Sequence, residues 1–241
     1  MKRPDPNAVV PARRALLGAG LGGAALAAAG CASLPERLPA RPLSAPQVRP
    51  GDRWRYAVIN RYNGEKTGEV IAQVSQASPL QIELTDEGGR RLGAELYSAP
   101  WQVIQEPFYD QIQIFDRPVP LVPWDVPQGD ARTDETAYRT AGRDERYAWY
   151  VRSRAVQWER LRVPAGEFDT LRVQRDIWFA HTDRSRLSPS RRETLWYAPQ
   201  VNRWVQREWT GHYHWFGVRF QLREDWVSWR LLDYQPAPAG G

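Results

Sequence analysis

The stretch Val163-Pro164-Ala165-Gly166-Glu167-Phe168-Asp169-Thr170-Leu171-Arg172-Val173 opens the segment that decides the fold. Pro164 and Gly166 punctuate a turn. From there Leu171, Val173, Ile177 and Phe179 alternate with Thr170, Arg172, Gln174 and Asp176. An apolar–polar period of two marks a half-buried β-strand. His181 to Arg192 reads as a polar loop that reverses the chain. Thr194-Leu195-Trp196-Tyr197-Ala198-Pro199 then reads as the returning strand and Arg203 to Glu208 as a third. The pattern predicts Phe168–Phe179 and Thr194–Glu208 as neighbouring antiparallel strand regions, with Gly166 a turn residue that tolerates no bulky substitute.

The same rhythm extends outward. Gly51-Asp52-Arg53-Trp54-Arg55-Tyr56 starts a strand, with Trp54, Tyr56 and Val58 on one face. Asn63-Gly64 sits between two strand-like runs, a strong hairpin signal because both residues tolerate positive φ. Leu80 to Leu84 alternates, as do Tyr147 to Val163, Tyr213 to Leu222 and Trp226 to Tyr234. Asp116 to Asp144 breaks the pattern: Pro118, Pro120, Pro123 and Pro127 argue against a central strand, and the segment reads as a long connection suited to a lid. Gly129-Asp130 echoes Gly51-Asp52, two residues too few to define a repeat. The expectation is an all-β domain over residues 48–235, of about ten antiparallel strands in a curved sheet, half-barrel, barrel or sandwich. Residues 236–241 read as a frayed tail.

The N-terminus has a different grammar. Lys2, Arg3, Arg13 and Arg14 precede a weakly apolar run, Ala15 to Ala29, and then Ala28-Ala29-Gly30-Cys31. This is the layout of a signal peptide. It resembles a bacterial lipoprotein signal, although Ala28 stands where Leu is usual. The resemblance implies that Cys31 is lipidated and becomes the mature N-terminus. Arg13-Arg14-Ala15-Leu16-Leu17 also resembles a twin-arginine export signal. Ala32 and Ser33 follow the cysteine; the absence of Asp there leans towards the outer membrane, where enterobacterial sorting applies. Residues 32–47, rich in proline, read as an extended tether.

Charge and composition narrow the function. There are 33 basic and 28 acidic residues, a net charge of +5. Lys2, Arg3, Arg13 and Arg14 against Asp5 account for +3 of it, so residues 32–241 carry only +2. That balance gives nucleic-acid binding no support. The single cysteine excludes an internal disulfide and a cysteine-based metal site. Tryptophan is in surplus, with 12 residues, and most crowd the second half.

The segments Val163 to Val173, Thr194 to Pro199 and Val205-Gln206-Arg207-Glu208, with the opening Gly51 to Tyr56 and a closing strand at Trp226 to Arg230, resemble a pattern found in uncharacterised bacterial envelope lipoproteins with a β-rich periplasmic domain. The resemblance implies a fold and a compartment, and no catalytic residues.

Site chemistry is sparse. His212 and His214 share one strand face, as a metal pair would, but the next acid, Glu224, stands at the wrong spacing. Glu159, Glu193 and Glu208 are the carboxylates a glycosidase would need, yet each lies near arginines on alternating strands, as cross-strand ion pairs on a solvated face do. No nucleophile motif or phosphate loop is present. The expectation is a non-enzymatic, lipid-anchored binding or assembly component, with no metal or cofactor and with an envelope protein or a lipid as its ligand. The alternative is a carrier whose concave face is lined by Trp158, Trp178, Trp196, Trp204 and Trp209 around an acyl chain, a glycan or a partner segment.

Overall fold

The computed structural model of the chain describes residues 35–43, 45–107 and 111–238. Cys31 and the leader lie outside them. Among the described residues thirteen strands form: β1 (Glu36–Leu38), β2 (Arg53–Asn60), β3 (Lys66–Ala77), β4 (Leu80–Asp86), β5 (Arg91–Ala99), β6 (Gln102–Glu106), β7 (Gln113–Pro120), β8 (Ala131–Thr140), β9 (Tyr147–Val163), β10 (Gly166–Phe179), β11 (Arg186–Ala198), β12 (Arg203–Trp215) and β13 (Gln221–Gln235). From β2 to β13 each strand pairs antiparallel with the next, and β13 closes on β2 through Val227↔Asn60 to Gln235↔Arg53. The result is a closed up-and-down barrel of twelve strands. Closure removes the open edges that a sheet of this size would otherwise expose.

The opening stretch behaves as its pattern requires. Leu171 pairs with Tyr197 and Trp178 with Ser190, and Gly166 turns with φ 134°. The reversal is shorter than expected, because Arg186 to Arg192 already belong to β11. Asn63-Gly64 does make a hairpin, with the longer loop Arg61 to Gly64 closed by Asn60 N–H on the Glu65 carbonyl at 2.8 Å. Bulges at Arg172/Val173, Trp196/Tyr197 and Leu231/Asp233 add local twist, which helps the long strands coil into a ring.

Three further sequence expectations differ from the structure. Tyr213 to Leu222, read as one alternating run, is the end of β12, a turn at residues 216–220 and the start of β13, because Gly217 takes positive φ and Val218 N–H closes on the Trp215 carbonyl. The connection over Asp116 to Asp144 is about half strand, with loop at residues 121–130 and at 141–144, where the β8–β9 turn begins. β7 accommodates Pro118 and Pro120 because its ladder with β8 spans only Gln113 to Phe115; beyond it the Arg117 N–H turns to Thr136 Oγ1 at 3.1 Å. The loop is no free lid: Leu121 and Val122 are buried, and Trp124 stands edge-on to Tyr197 at 5.2 Å. The predicted tether also lies against the barrel. β1 pairs with Trp158 to Arg160 of β9, and Leu38, Leu43 and Val48 pack on the core, so apolar side chains hold a proline-rich segment down.

Alternate connections fall at opposite ends of the barrel. The chain entry, β1, the 121–130 loop and the 3₁₀ turn Pro199–Val201 gather at one end. The β2–β3, β4–β5, β6–β7, β8–β9, β10–β11 and β12–β13 hairpins gather at the other. Gly51 (φ 95°) and Gly129 (φ 99°) each launch a strand with the same contact, N–H to the carbonyl of Val74 at 2.9 Å and of Ala155 at 2.7 Å.

An eight-stranded ring is just wide enough for side chains to fill it, so twelve strands need larger fillers. Trp54, Trp101, Trp149, Trp158 and Trp204 are all buried, with Tyr56, Tyr97, Tyr138 and Tyr197 and the arginines Arg175, Arg203 and Arg207. The tryptophan surplus is in large part a consequence of barrel width.

Burial raises the phenols of Tyr56, Tyr97 and Tyr197 above the ordinary value of 10.0. A folded-state pKa above the unfolded one gives stability that is complete below pH ~10 and is lost as pH rises through the folded value. These three phenols are therefore expected to ionise only together with unfolding. A phenolate absorbance titration followed in parallel by circular dichroism checks this. Complete tyrosine ionisation with an unchanged β spectrum would contradict it.

Candidate functional site

The five tryptophans expected to line one concavity are not brought together. Trp158 is buried near the β1 end, donating Nε1–H to the Arg41 carbonyl at 3.2 Å beneath the Arg41 guanidinium. Trp204 and Trp209 are buried inside the ring. Trp196 lies on the outer wall and donates to Glu159 Oε1 at 2.7 Å. Trp178 also lies outside and is 49% exposed.

Inside the ring the fillers are partly ionic, which the sequence reading missed. Arg207 bridges Glu106 (2.8 Å) and Glu193 (2.5 Å), and Glu193 also takes Arg175. Arg203 binds Glu95 at 2.7 Å and Tyr56 Oη at 3.1 Å, and Tyr97 donates to the same carboxylate at 2.7 Å. The Arg203 guanidinium lies 3.7 Å from the Trp204 ring centroid, with Trp54 and Trp101 at 5.2 and 5.3 Å. Burial pushes the Glu193 carboxyl up, but the charges and hydrogen bonds of Arg207 and Arg175 outweigh it and hold it low. Burial wins at Glu106, whose carboxyl is raised. The signal was available: Arg175 is in phase with Leu171, Val173 and Ile177, and Glu193 with Leu195 and Tyr197.

The candidate carboxylates occupy separate settings. Glu193 is in the interior network, Glu159 is buried beneath Trp196, and Glu208 holds the Trp226 indole at 3.1 Å on the outer wall. Nothing pairs them across a common cleft as glycoside hydrolysis needs. Among the described residues no group of three or more His, Cys, Asp or Glu is placed to hold a metal ion.

The accessible site is on the wall. Trp178, Ser190 and His212 are directly opposite one another on β10, β11 and β12. The small Ser190 between two rings leaves a cleft of 320 Å³, also bordered by Asp176, Arg192, Thr210 and Gln221. Its flanking rings stem from strands two spacings apart, roughly 9.5 Å. Arg192 and Asp176 pair at 3.0 Å along one side. Burial lowers the His212 pKa, and the Arg223 and Arg192 charges lower it further, so this imidazole is neutral at physiological pH. A second cleft, of 560 Å³, opens on the other side of Trp178, against Tyr150, Phe179, His181 and Leu187. Ser188 (φ 47°) and Pro189, looped out of the β11 register, shape its floor. Trp178 thus stands as an aromatic ridge between a polar and a more apolar cleft. Such a ridge can stack a planar or pyranose ring while Arg192, Asp176 and Gln221 bind polar substituents.

No protein-family model and no curated protein matches the chain. The class that fold and site define is a closed, ionically filled antiparallel barrel with its accessible clefts on the wall. Its fold is similar to that of a candidate exported protein with a YmcC-like fold from Bacteroides fragilis, at TM-score 0.50 and 16% identity, covering 79% of this chain and 98% of that one. A candidate lipoprotein from Parabacteroides distasonis matches at TM-score 0.50 and 16% identity, over 79% of this chain and 97% of that one.

Proposed function

We propose that the chain is a lipid-anchored envelope protein, held by Cys31 at the outer membrane, whose barrel is a non-enzymatic binding component that takes its ligand on the outer wall at Trp178. The observation that carries this reading is the half-exposed Trp178 ring between two clefts, beside an interior filled by tryptophans and ion pairs. That filling favours wall binding over carriage of an acyl chain inside. The leader and Cys31, and the exported or lipoprotein character given to the structural neighbours, support the envelope assignment.

Cys31→Ser is expected to move the exported protein from the membrane to the soluble fraction. In that soluble form, ring-bearing ligands (oligosaccharides and aromatic peptides) are titrated while the Trp178 indole N–H resonance is followed. A saturable shift that disappears in Trp178→Ala is the expected result. That variant should keep its stability within about 0.5 kcal/mol, as exposed substitutions do. A ligand that binds equally well without the Trp178 ring would overturn the wall site.

A further inference from the structure

The hairpin between β12 and β13 is unlike the other described hairpins at its end of the barrel. Its sequence is Tyr213-His214-Trp215-Phe216-Gly217-Val218-Arg219-Phe220-Gln221-Leu222-Arg223. Phe216 is 76% exposed and Phe220 66%, with Trp215 at 39%. The tip is a defined turn: Val218 N–H donates to the Trp215 carbonyl at 2.9 Å, and Gly217 takes φ 81°. Phe216 N–H donates to the Ser185 carbonyl of the adjoining hairpin at 3.1 Å, which holds the tip in place. Exposed Leu187 on the β10–β11 side and Tyr62 on the β2–β3 side extend the apolar rim across three neighbouring hairpins.

Charge distinguishes the β12–β13 hairpin further. No acidic residue occurs from Trp209 to Arg223, while Arg219 and Arg223 are both present. The loops at Arg61–Lys66, Asp86–Arg91 and Arg143–Arg146 mix both signs. Carboxylates beside the hairpin are engaged: Glu224 by Arg186, Asp225 by Arg191 and the Gly211 N–H, and Asp183 by the Ser185 N–H at 2.9 Å. Arg223 lies over the Trp226 and Tyr62 rings, at 4.9 and 5.8 Å.

We propose that the Trp215–Phe220 hairpin inserts into the headgroup region of an anionic phospholipid bilayer. Phe216, Val218 and Phe220 enter the acyl boundary, and Arg219 and Arg223 meet the phosphates. Aromatic rings settle at that depth, and arginines near an anionic surface add attraction. A carboxylate-free apolar tip fits such a surface, and an acidic one would be repelled by it. This contact lies at the barrel end opposite β1, with Leu187 shared between its rim and the second cleft beside Trp178.

The test uses the full chain carrying Cys31→Ser, which removes the only cysteine, and Val218→Cys labelled with an environment-sensitive nitrobenzoxadiazole dye. Because the label reports from the hairpin tip, association through the N-terminal leader does not produce the signal. On vesicles rich in phosphatidylglycerol the emission is expected to shift to the blue and to be quenched by shallow nitroxide lipids. Phe216→Ser with Phe220→Ser should weaken binding roughly tenfold or more, and Arg219→Gln about fivefold. Phe216, Arg219 and Phe220 are exposed, so these variants should melt with the labelled Val218→Cys parent. An aqueous emission at saturating vesicle concentration would overturn the proposal. So would a blue shift that survives loss of both phenyl rings, or one equally strong on phosphatidylcholine alone.

Discussion

Glu193→Ala is expected to destabilise the barrel by about 3–5 kcal/mol or more, the effect of removing one partner from a buried ion pair. Two guanidiniums depend on this carboxylate, Arg175 and Arg207, and all three side chains are almost fully buried. Arg207 would keep Glu106, but Arg175 would lose its only ion-pair partner among the described residues. Urea unfolding of parent and variant measures the difference. The quadruple variant Glu106→Leu, Glu193→Leu, Arg175→Met, Arg207→Met, which also removes the carboxylate that Arg207 would otherwise leave stranded, is expected to recover most of the loss, because apolar replacement of a whole buried network is often neutral or stabilising. A Glu193→Ala protein as stable as the parent would show that water, rather than the carboxylate, satisfies the arginines.

Trp204→Ala is expected to cost about 3–5 kcal/mol, the usual range for a large aromatic removed from a core. The Trp204 ring fills the space between Trp101, at 5.4 Å, and the guanidiniums of Arg203 and Arg207. Its loss would leave a cavity and also uncover two buried cations. Thermal melts of Trp204→Ala and Trp178→Ala, side by side, separate structural from surface tryptophan: the first should fall by many degrees and the second hardly at all.

That contrast also shows what was legible in the sequence. Period-two alternation identified β9 and β10 because each strand separates an interior from a wall, and the Pro–Gly turn before Phe168 is where the backbone needs positive φ. The start of β11 was hidden because Arg186, Arg191 and Arg192 resemble a polar loop. They are ladder residues whose charges meet Glu224, Asp225 and Asp176. β8 was hidden by the prolines before it, which sit where β7 has parted from its neighbour. The choice among barrel, half-barrel and sandwich depended on the β2–β13 pairing. That contact joins residues some 170 positions apart in sequence, and no local pattern encodes it. The five-tryptophan site failed to assemble for a similar reason. Trp178 and Trp196 differ in strand phase from Leu171 and Leu195, so they were bound for the wall, whereas the bulge beside Tyr197 brought Trp204 inside.

The paired turns at Gly51 and Gly129 have a consequence for how the ring can be cut. Each begins a run of six strands, β2 to β7 and β8 to β13, and each is tied to the following strand by the same glycine amide. The ring strands at the two ends of the chain lie side by side, and the Ala237 N–H reaches Asp52 Oδ1 at 2.8 Å. A circularly permuted chain that starts at Gly129, with a short linker from the residues after Ala237 back to Gly51, would therefore keep every ladder of the ring, at the cost of the loop at residues 121–128 and of the β1 segment that precedes Gly51. In that topological sense the barrel has two interchangeable beginnings.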